Sequence, residues 1–432
     1  MKPRSATGRR QAKPRHATGE RQSRPPDHAR PEDDVPVDCP HFGTCGGCQL
    51  LDIPYAAELA GKEARLRELV AASPALAGAE LLPILAARQP LFWRTSLKVP
   101  FGVSRGRAIA GFFRRGSHHI VDLQTCFVQD RRLVDLLLAT RAWVDELGVP
   151  VYDEVAHRGV LRHLVARVGA GSEEWLAGLV VQREGTARVR ALAGRMWETF
   201  APRGLVGVVE NVNAERTNVI LGLRTRKLAG HSGLVEMIDG LSFRTGLGSF
   251  AQVNNGQARA LYAEVLRLLG DVRDRRIVEL YAGYGPIGLR LAQAGARVVA
   301  IDKNPQAVRE GNDAAKRNTL DDRIRFVAAD AEAGIEPWAD ADGAPGSIDA
   351  VVVDPPRRGL TAGVIARLCR MDVATLVYVS CNPVTLGRDL ELLAPAFAVR
   401  SLRGVDLFPR MEQIEVVALL EKRGDAAAPG PD

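Results

Sequence analysis

The hydrophobic pattern changes its period along this chain. Over residues 56–72, Leu59, Leu66, Leu69 and Val70 recur at helical spacing with charges between them, which predicts an amphipathic helix. From 92 to 240 the apolar runs are short and broken by Gly and charged turns. They predict strands at 96–103, 108–113, 160–168 and 175–182, with one helix over 131–147. From about 245 onward, strand-length apolar runs alternate with helical stretches. Strands are predicted at 276–280, 297–301, 324–328, 350–353, 376–379, 398–405 and 414–420, with helices between the first five. Such alternation implies a parallel sheet. The last two strands are joined by a short turn at Phe408-Pro409-Arg410, which predicts an antiparallel hairpin at the sheet edge. No repeat of fixed period is present.

A chain of 432 residues exceeds a single core. The expected division is a basic disordered tail over 1–34, a Cys-rich knot and helix over 35–90, a β-rich central domain over 91–243, an α/β domain over 244–424 and a flexible tail over 425–432. Residues 339–347 are expected to form a flexible loop. The formal charge of +7 is concentrated at one end: residues 1–30 hold nine basic and two acidic side chains, and the remainder is balanced. A basic disordered arm binds polyanions by counterion release, or serves only as a solubilising extension. No apolar stretch approaches the ~20 residues that span a bilayer, so no membrane partner is expected. Six unevenly spaced cysteines do not make a secreted disulfide scaffold, and a reducing, cytoplasmic setting is expected.

Two apolar runs end in reactive groups, Asp354 and Cys381. Strand C-termini of an open α/β sheet are where ligands bind, so a thiol and a carboxylate are expected in one cleft. The first strand of this half leads into Tyr281-Ala-Gly-Tyr-Gly-Pro-Ile-Gly288, a Gly-rich turn opening a helix. Asp302 ends the second strand, where an acid accepts bonds from ribose hydroxyls, and Asp330 ends the third, toward an adenine. Spacing alone leaves a nicotinamide cofactor open, since Gly288 supplies the third Gly of a dinucleotide fingerprint. The closing hairpin and Asp354-Pro355-Pro356 favour S-adenosylmethionine, because a seven-stranded sheet with that ending is the plan of class I methyltransferases.

Cys39, Cys45 and Cys48 form a second constellation, with Cys126 far downstream. Four thiolates suit zinc or an iron–sulfur cluster. Zinc sites more often pair two short knuckles, so three clustered ligands and one remote one fit a 4Fe–4S cluster better.

Several segments together resemble the RNA 5-methyluridine methyltransferase family. They are Leu161-Arg-His-Leu-Val165, Thr217-Asn-Val-Ile-Leu-Gly222, Ser249-Phe-Ala-Gln-Val-Asn254, Asp354-Pro-Pro-Arg-Arg-Gly359, Ser380-Cys-Asn-Pro383 and Asp406-Leu-Phe-Pro409 with Glu415. The resemblance spans residues 38–422 and includes the cysteine knot. It implies an α/β class I methyltransferase domain with a seven-stranded Rossmann-like sheet, contacts to S-adenosylmethionine from Gln252, Tyr281, Asp302 and Asp354, Cys381 as nucleophile and Glu415 as general base. It also implies a 4Fe–4S cluster on Cys39, Cys45, Cys48 and Cys126. No Cys lies within 354–359, where 5-methylcytosine enzymes of similar fold place one, which argues for uracil. Arg357, Arg358 and Arg388 are candidates for favouring the Cys381 thiolate. His118-His119 and the Arg-rich stretch 105–115 either face RNA or form a solvated surface.

The chain departs from the family pattern at Pro286, where many members have Asn, and at Arg410-Met411 and Gln413, where His-Thr and His are common. Some members carry an N-terminal RNA-binding barrel, which the 38 residues before Cys39 do not provide. Members with the cluster mostly modify large-subunit ribosomal RNA. A 23S uridine is therefore the expected target, with transfer RNA as runner-up, and a monomer is expected. The rival of another class is a non-catalytic RNA-binding iron–sulfur protein, against which the intact Cys381, Asp354 and Glu415 argue.

Overall fold

The computed structural model describes residues 35–249, 251–334 and 347–423. The basic tail, most of the loop over 339–347 and the C-terminal tail lie outside these residues. Helix α1 (Tyr55–Ala72) is followed by strand β1 (Glu80–Leu85). Strands β2 (Ser96–Ser104), β3 (Arg107–Ala110), β4 (Leu161–Val168), β5 (Trp175–Val181), β6 (Leu205–Val212) and β7 (Arg224–Gly230) form one sheet in the order β3-β2-β4-β5-β6-β7. Helices α2 (Arg131–Glu146) and α3 (Ala187–Phe200) belong to this region. Its strands β5 and β6 are parallel and are joined through α3, so the middle region holds a strand–helix–strand unit that the strand-rich reading did not contain. A hairpin, β8 (Gly233–Ile238) and β9 (Leu241–Gly246), leads to helix α4 (Asn255–Leu269).

The remaining elements alternate. They are β10 (Arg276–Leu280), α5 (Pro286–Gln293), β11 (Arg297–Asp302), α6 (Pro305–Arg317), β12 (Ile324–Ala328), α7 (Ala331–Gly334), β13 (Ala350–Val353), α8 (Ala362–Arg370), β14 (Thr375–Ser380), α9 (Pro383–Leu393), β15 (Phe397–Val405) and β16 (Glu415–Lys422). Their sheet runs β1-β15-β16-β14-β13-β10-β11-β12. Apolar clusters cover both of its faces, which is why strands such as Ala350–Val353 are apolar at every position. Within it β16 is antiparallel to both β14 and β15, as the hairpin reading required.

Two expectations are corrected. The sheet has eight strands, not seven, because β1 from the Cys-rich N-terminal region pairs in parallel with β15. The hairpin is therefore not the sheet edge. In addition, α1 buries Glu58 and Lys62 alongside Tyr55 and Leu66, so part of its charged pattern faces inward.

Candidate active site

Strand direction sets the site. The parallel strands β10 to β14 all end on one edge, where Tyr281, Asp302, Asp330, Asp354 and Cys381 follow or close them. Because β16 runs the other way, its first residue, Glu415, starts at that same edge. Pairing of Ser380 with Val416 brings it level with Cys381. All five groups, Glu415 and Gln252 line one cavity of about 550 Å³. Gln252 arrives on a loop held by the middle sheet, with the Thr95 backbone N–H and hydroxyl both donating to the Val253 carbonyl at 2.8 and 2.9 Å.

The two loops expected to carry the chemistry are tied together. Asn382 caps α9 and donates from Nδ2 to the Arg357 carbonyl at 3.0 Å, and Thr385 Oγ1 donates to the same oxygen at 3.2 Å. Asp389, wholly buried, accepts from the Leu360 N–H and the Tyr378 hydroxyl at 2.7 Å each. Arg388 pairs with Asp389 at 2.6 Å and donates to the Arg358 carbonyl at 2.9 Å. It braces the loop and does not serve the thiol.

The electrostatics differ from the expected cationic nest. Burial pushes the Asp354 carboxyl up to about 7. Glu415 is 3% exposed, and burial together with the neighbouring Asp354 charge pushes it up to about 8. The Cys381 thiol rises to about 11, through burial first and then Glu415 and Asp354, with Arg357 opposing. Three groups that carry negative charge when ionised thus share a space where burial outweighs the cations that line it, Arg94, Lys303, Arg357 and Arg358.

The Gly-rich turn has the shape of a ligand cradle. Tyr281 adopts φ +62°, a left-handed conformation a bulky residue enters only when its surroundings impose it. Burial, then Asp330, raises its hydroxyl to about 12. A Cβ on Gly288 would lie 2.3 Å from Glu279 Oε2 and 3.0 Å from Ile324 Cδ1, so any larger residue there forces those side chains to move. Asp302 accepts from the Gly283 and Asn304 N–H groups at 2.8 Å each, and each carboxylate oxygen keeps a lone pair for a hydroxyl donor. Sequence reasoning missed two groups. Glu279 is buried in β10 with Oε2 unpartnered, and its carboxyl is raised by burial and then by Asp354. Arg94 lines the cavity with a buried, unpartnered Nε. Glu279 lies in the segment leading into the Gly-rich turn, and a lone acid among Ile277, Val278 and Leu280 was the signal that could have found it; Arg94 lies in no motif and had no local signal.

A profile described as tRNA (Uracil-5-)-methyltransferase matches residues 237–423. An uncharacterized RNA methyltransferase of Halalkalibacterium halodurans is 33% identical over 390 residues, covering 90% of this chain and 84% of that protein. One of Gloeobacter violaceus is 35% identical, covering 90% and 83%. The chain belongs to the RNA uracil-5-methyltransferase family. A solved structure of the Pyrococcus abyssi tRNA (uracil-54, C5)-methyltransferase with S-adenosyl-L-homocysteine superposes with a TM-score of 0.70 at 24% identity, covering 88% of this chain and 86% of that one. That likeness shows the same α/β fold.

In this RNA uracil-5-methyltransferase the segment before Glu415 is anchored by α1. Lys62 Nζ bonds Glu58 Oε1 and Asp406 Oδ1 at 2.6 Å each and the Phe408 carbonyl at 3.1 Å. The Tyr55 hydroxyl donates to Asp406 Oδ2 at 2.5 Å and accepts from the Ala87 N–H. The Arg410 N–H donates to Glu58 at 2.8 Å, while its buried guanidinium donates to the Ile53 carbonyl at 2.8 Å. Trp93 Nε1 adds a bond to the Pro409 carbonyl.

The cysteine loop reaches this segment too, since the Gln49 and Leu50 N–H groups both donate to the Arg410 carbonyl at 3.1 Å. Gly46 N–H bonds the Phe113 carbonyl, pinning the knot to the middle region. Cys39, Cys45, Cys48 and Cys126 are free thiols, close enough for their charges to interact: burial and then that repulsion raise Cys48. The Val128 and Gln129 N–H groups point at Cys126, and Gly47 N–H points at Cys45 Sγ. Among the described residues no three Cys, His, Asp or Glu side chains converge on a point that would hold a single metal ion. His118 and His119 are exposed, as is the Arg105–Arg107 turn.

Proposed function

We propose that the protein methylates C5 of an RNA uridine through a covalent adduct between Cys381 and C6 of the base. The observation that carries this reading is the single cavity shared by Cys381, Glu415, Asp354 and the cofactor loop. Uracil C5 is a poor nucleophile. The Cys381 thiolate bonds to C6, and the electron pair of the C5–C6 double bond moves toward C5 and O4. Bound S-adenosylmethionine supplies an electrophilic methyl group on a cationic sulfur. Gln252, Tyr281, Asp302, Asp330 and Asp354 are the residues that would hold it. Glu415 takes the C5 proton after methyl transfer; the C–H pair then restores the double bond and the thiolate leaves. The upward shift to about 8 makes Glu415 a stronger base than an ordinary carboxylate once it is ionised, and the positive charge of a bound cofactor favours that ionised form. Asp354, pushed up to about 7 by burial, is nearer its neutral form than an ordinary carboxyl and so is equipped to meet either a donor or an acceptor on the ring. In a folded RNA the uridine must leave its stack to enter.

A 4Fe–4S cluster on Cys39, Cys45, Cys48 and Cys126 belongs to the same reading. It is supported by four free thiols near enough for their charges to repel, with backbone N–H groups aimed at the sulfurs of Cys45 and Cys126, as such clusters use. Its role would be structural, holding the knot against the middle region and the segment leading to Glu415.

We favour a 23S ribosomal uridine because of that cysteine set. Transfer RNA is the second reading, favoured by the similar Pyrococcus abyssi protein, whose name gives a tRNA uridine as its target. Mapping 5-methyluridine in ribosomal and transfer RNA of a deletion strain tests both. Loss from 23S RNA alone supports the first, loss from transfer RNA alone supports the second, and loss from neither defeats the proposal.

A further inference from the structure

Cys381 is walled by two cavities. Beyond the first lies a second of about 410 Å³, formed by Arg65, Leu66 and Leu69 of α1, the start of α9 and residues 412–414. The two share only Cys381 and Arg357. The reacting base needs Glu415 and Asp354, which line the first cavity alone, so the second cannot hold that base.

Its lining suits a polynucleotide. Arg65 and Arg357 are exposed cations, and the one acid in the lining, Glu412, has its carboxylate paired with Arg115 at 3.4 Å while its carbonyl accepts from Arg65 at 2.9 Å. Leu66, Leu69, Pro383 and Ile414 supply an apolar wall, and Val384 at its rim is 78% exposed. Gln413 contributes a buried Oε1 with no hydrogen-bond partner. An unpartnered amide oxygen asks for a donor, which a base amino group or a ribose 2′-hydroxyl provides. Gln413 is also one of the positions where this chain departs from its family's pattern.

We propose that this second cavity holds the nucleotide adjacent to the target uridine, with Arg65 and Arg357 on its phosphates and Gln413 on its sugar or base edge. The proposal rests on the uracil-methylation reading: a base attacked at C6 by Cys381 stays joined to its neighbours, and a cavity sharing the Cys381 wall lies where such a neighbour passes. It also gives Gln413 a part in choosing the sequence around the uridine.

The test is the KM for RNA, using the full-length holoenzyme, saturating labelled S-adenosylmethionine and total RNA from a deletion strain. Val384→Glu and Val384→Lys place opposite charges at the rim of the cavity on a side chain that packs against little. The second position of a helix also tolerates an acid well. Val384→Glu should raise KM about five-fold and Val384→Lys should lower it, with both shifts fading at high salt. Gln413→Leu should raise KM in a manner insensitive to salt. If the wild type methylates uridine while both charge variants share its KM, the subsite is wrong and the function stands. If the wild type transfers no methyl to uridine, the function fails and the subsite with it.

Discussion

Two buried polar clusters flank residues 406–415, and they are built in opposite ways. On the α1 side, Lys62 sits between Glu58 and Asp406 with the Tyr55 hydroxyl and backbone groups completing the bonds. On the cavity side, Asp354, Cys381 and Glu415 make no side-chain ion pair among the described residues, although Arg94, Lys303, Arg357 and Arg358 line the same space, and all three are pushed toward their neutral forms. Burial is common to both, so burial does not distinguish them. Partners do. The first cluster is a clamp whose polar groups bond one another around Lys62, with only Glu58 Oε2 left over and burial still pushing Glu58 up to about 7. The second is left incomplete by the protein alone, the condition expected where a charged cofactor and a polar base are to bind.

Removing the Glu415 carboxylate attacks the incomplete cluster and should have the largest effect. Glu415→Gln should lower turnover by roughly 10²–10⁴ and trap methylated RNA on the protein, seen as a labelled species on a denaturing gel. Breaking the clamp comes next. Lys62→Met leaves Glu58 and Asp406 buried without their cation and should cost about 3–5 kcal/mol by denaturant melts. The double variant Lys62→Met with Asp406→Asn should recover part of that loss. A Lys62→Met protein as stable as the wild type would erase the contrast between the clusters.

Smaller effects sharpen it. Carboxyls raised by the fold favour the folded state below their unfolded values of 3.8 and 4.5, and that contribution is lost as pH climbs through about 7 for Asp354 and 8 for Glu415. Asp354→Asn and Glu415→Gln should therefore be stabilising by ~1–3 kcal/mol at pH 8.5 and near neutral at pH 4, read as Tm against pH. Last, alkylation of Cys381 by iodoacetamide should be slow at pH 7 and accelerate as pH approaches about 11. S-adenosylmethionine should speed it about ten-fold relative to S-adenosylhomocysteine, which lacks the positive charge. Equal rates with the two ligands would show that missing charge is not what holds the thiol neutral.

The alternating half was legible because parallel strands buried on both faces leave unbroken apolar runs. The strand 276–280 and the reactive ends at Asp354 and Cys381 could be read directly, and the motifs then brought Glu415 to them. What escaped depends on distant partners. Strand β1 pairs with residues some 320 positions away, and no local pattern announces that. Glu58 and Lys62 are among the charges between the apolar positions of this helix; Asp406, 344 residues beyond Lys62, with the Phe408 carbonyl and the Arg410 N–H, makes their burial tolerable. Helix α3 sits in a region read for its strands, although Leu192, Met196 and Phe200 fall on its buried face. The direction of the Cys381 shift was missed for a related reason. Arginines near it in sequence suggested a cationic site, but Arg388 is committed to Asp389, and Glu415 arrives from 34 residues downstream.

The central claim is that Cys381 bonds the base and Glu415 releases it. The direct measurement incubates wild type, Cys381→Ala and Glu415→Gln with RNA from a deletion strain and methyl-labelled S-adenosylmethionine, then separates protein-bound label from free 5-methyluridine. The wild type should yield free 5-methyluridine, Glu415→Gln should hold the label on protein-linked RNA, and Cys381→Ala should yield neither. Free 5-methyluridine from Cys381→Ala would contradict the account.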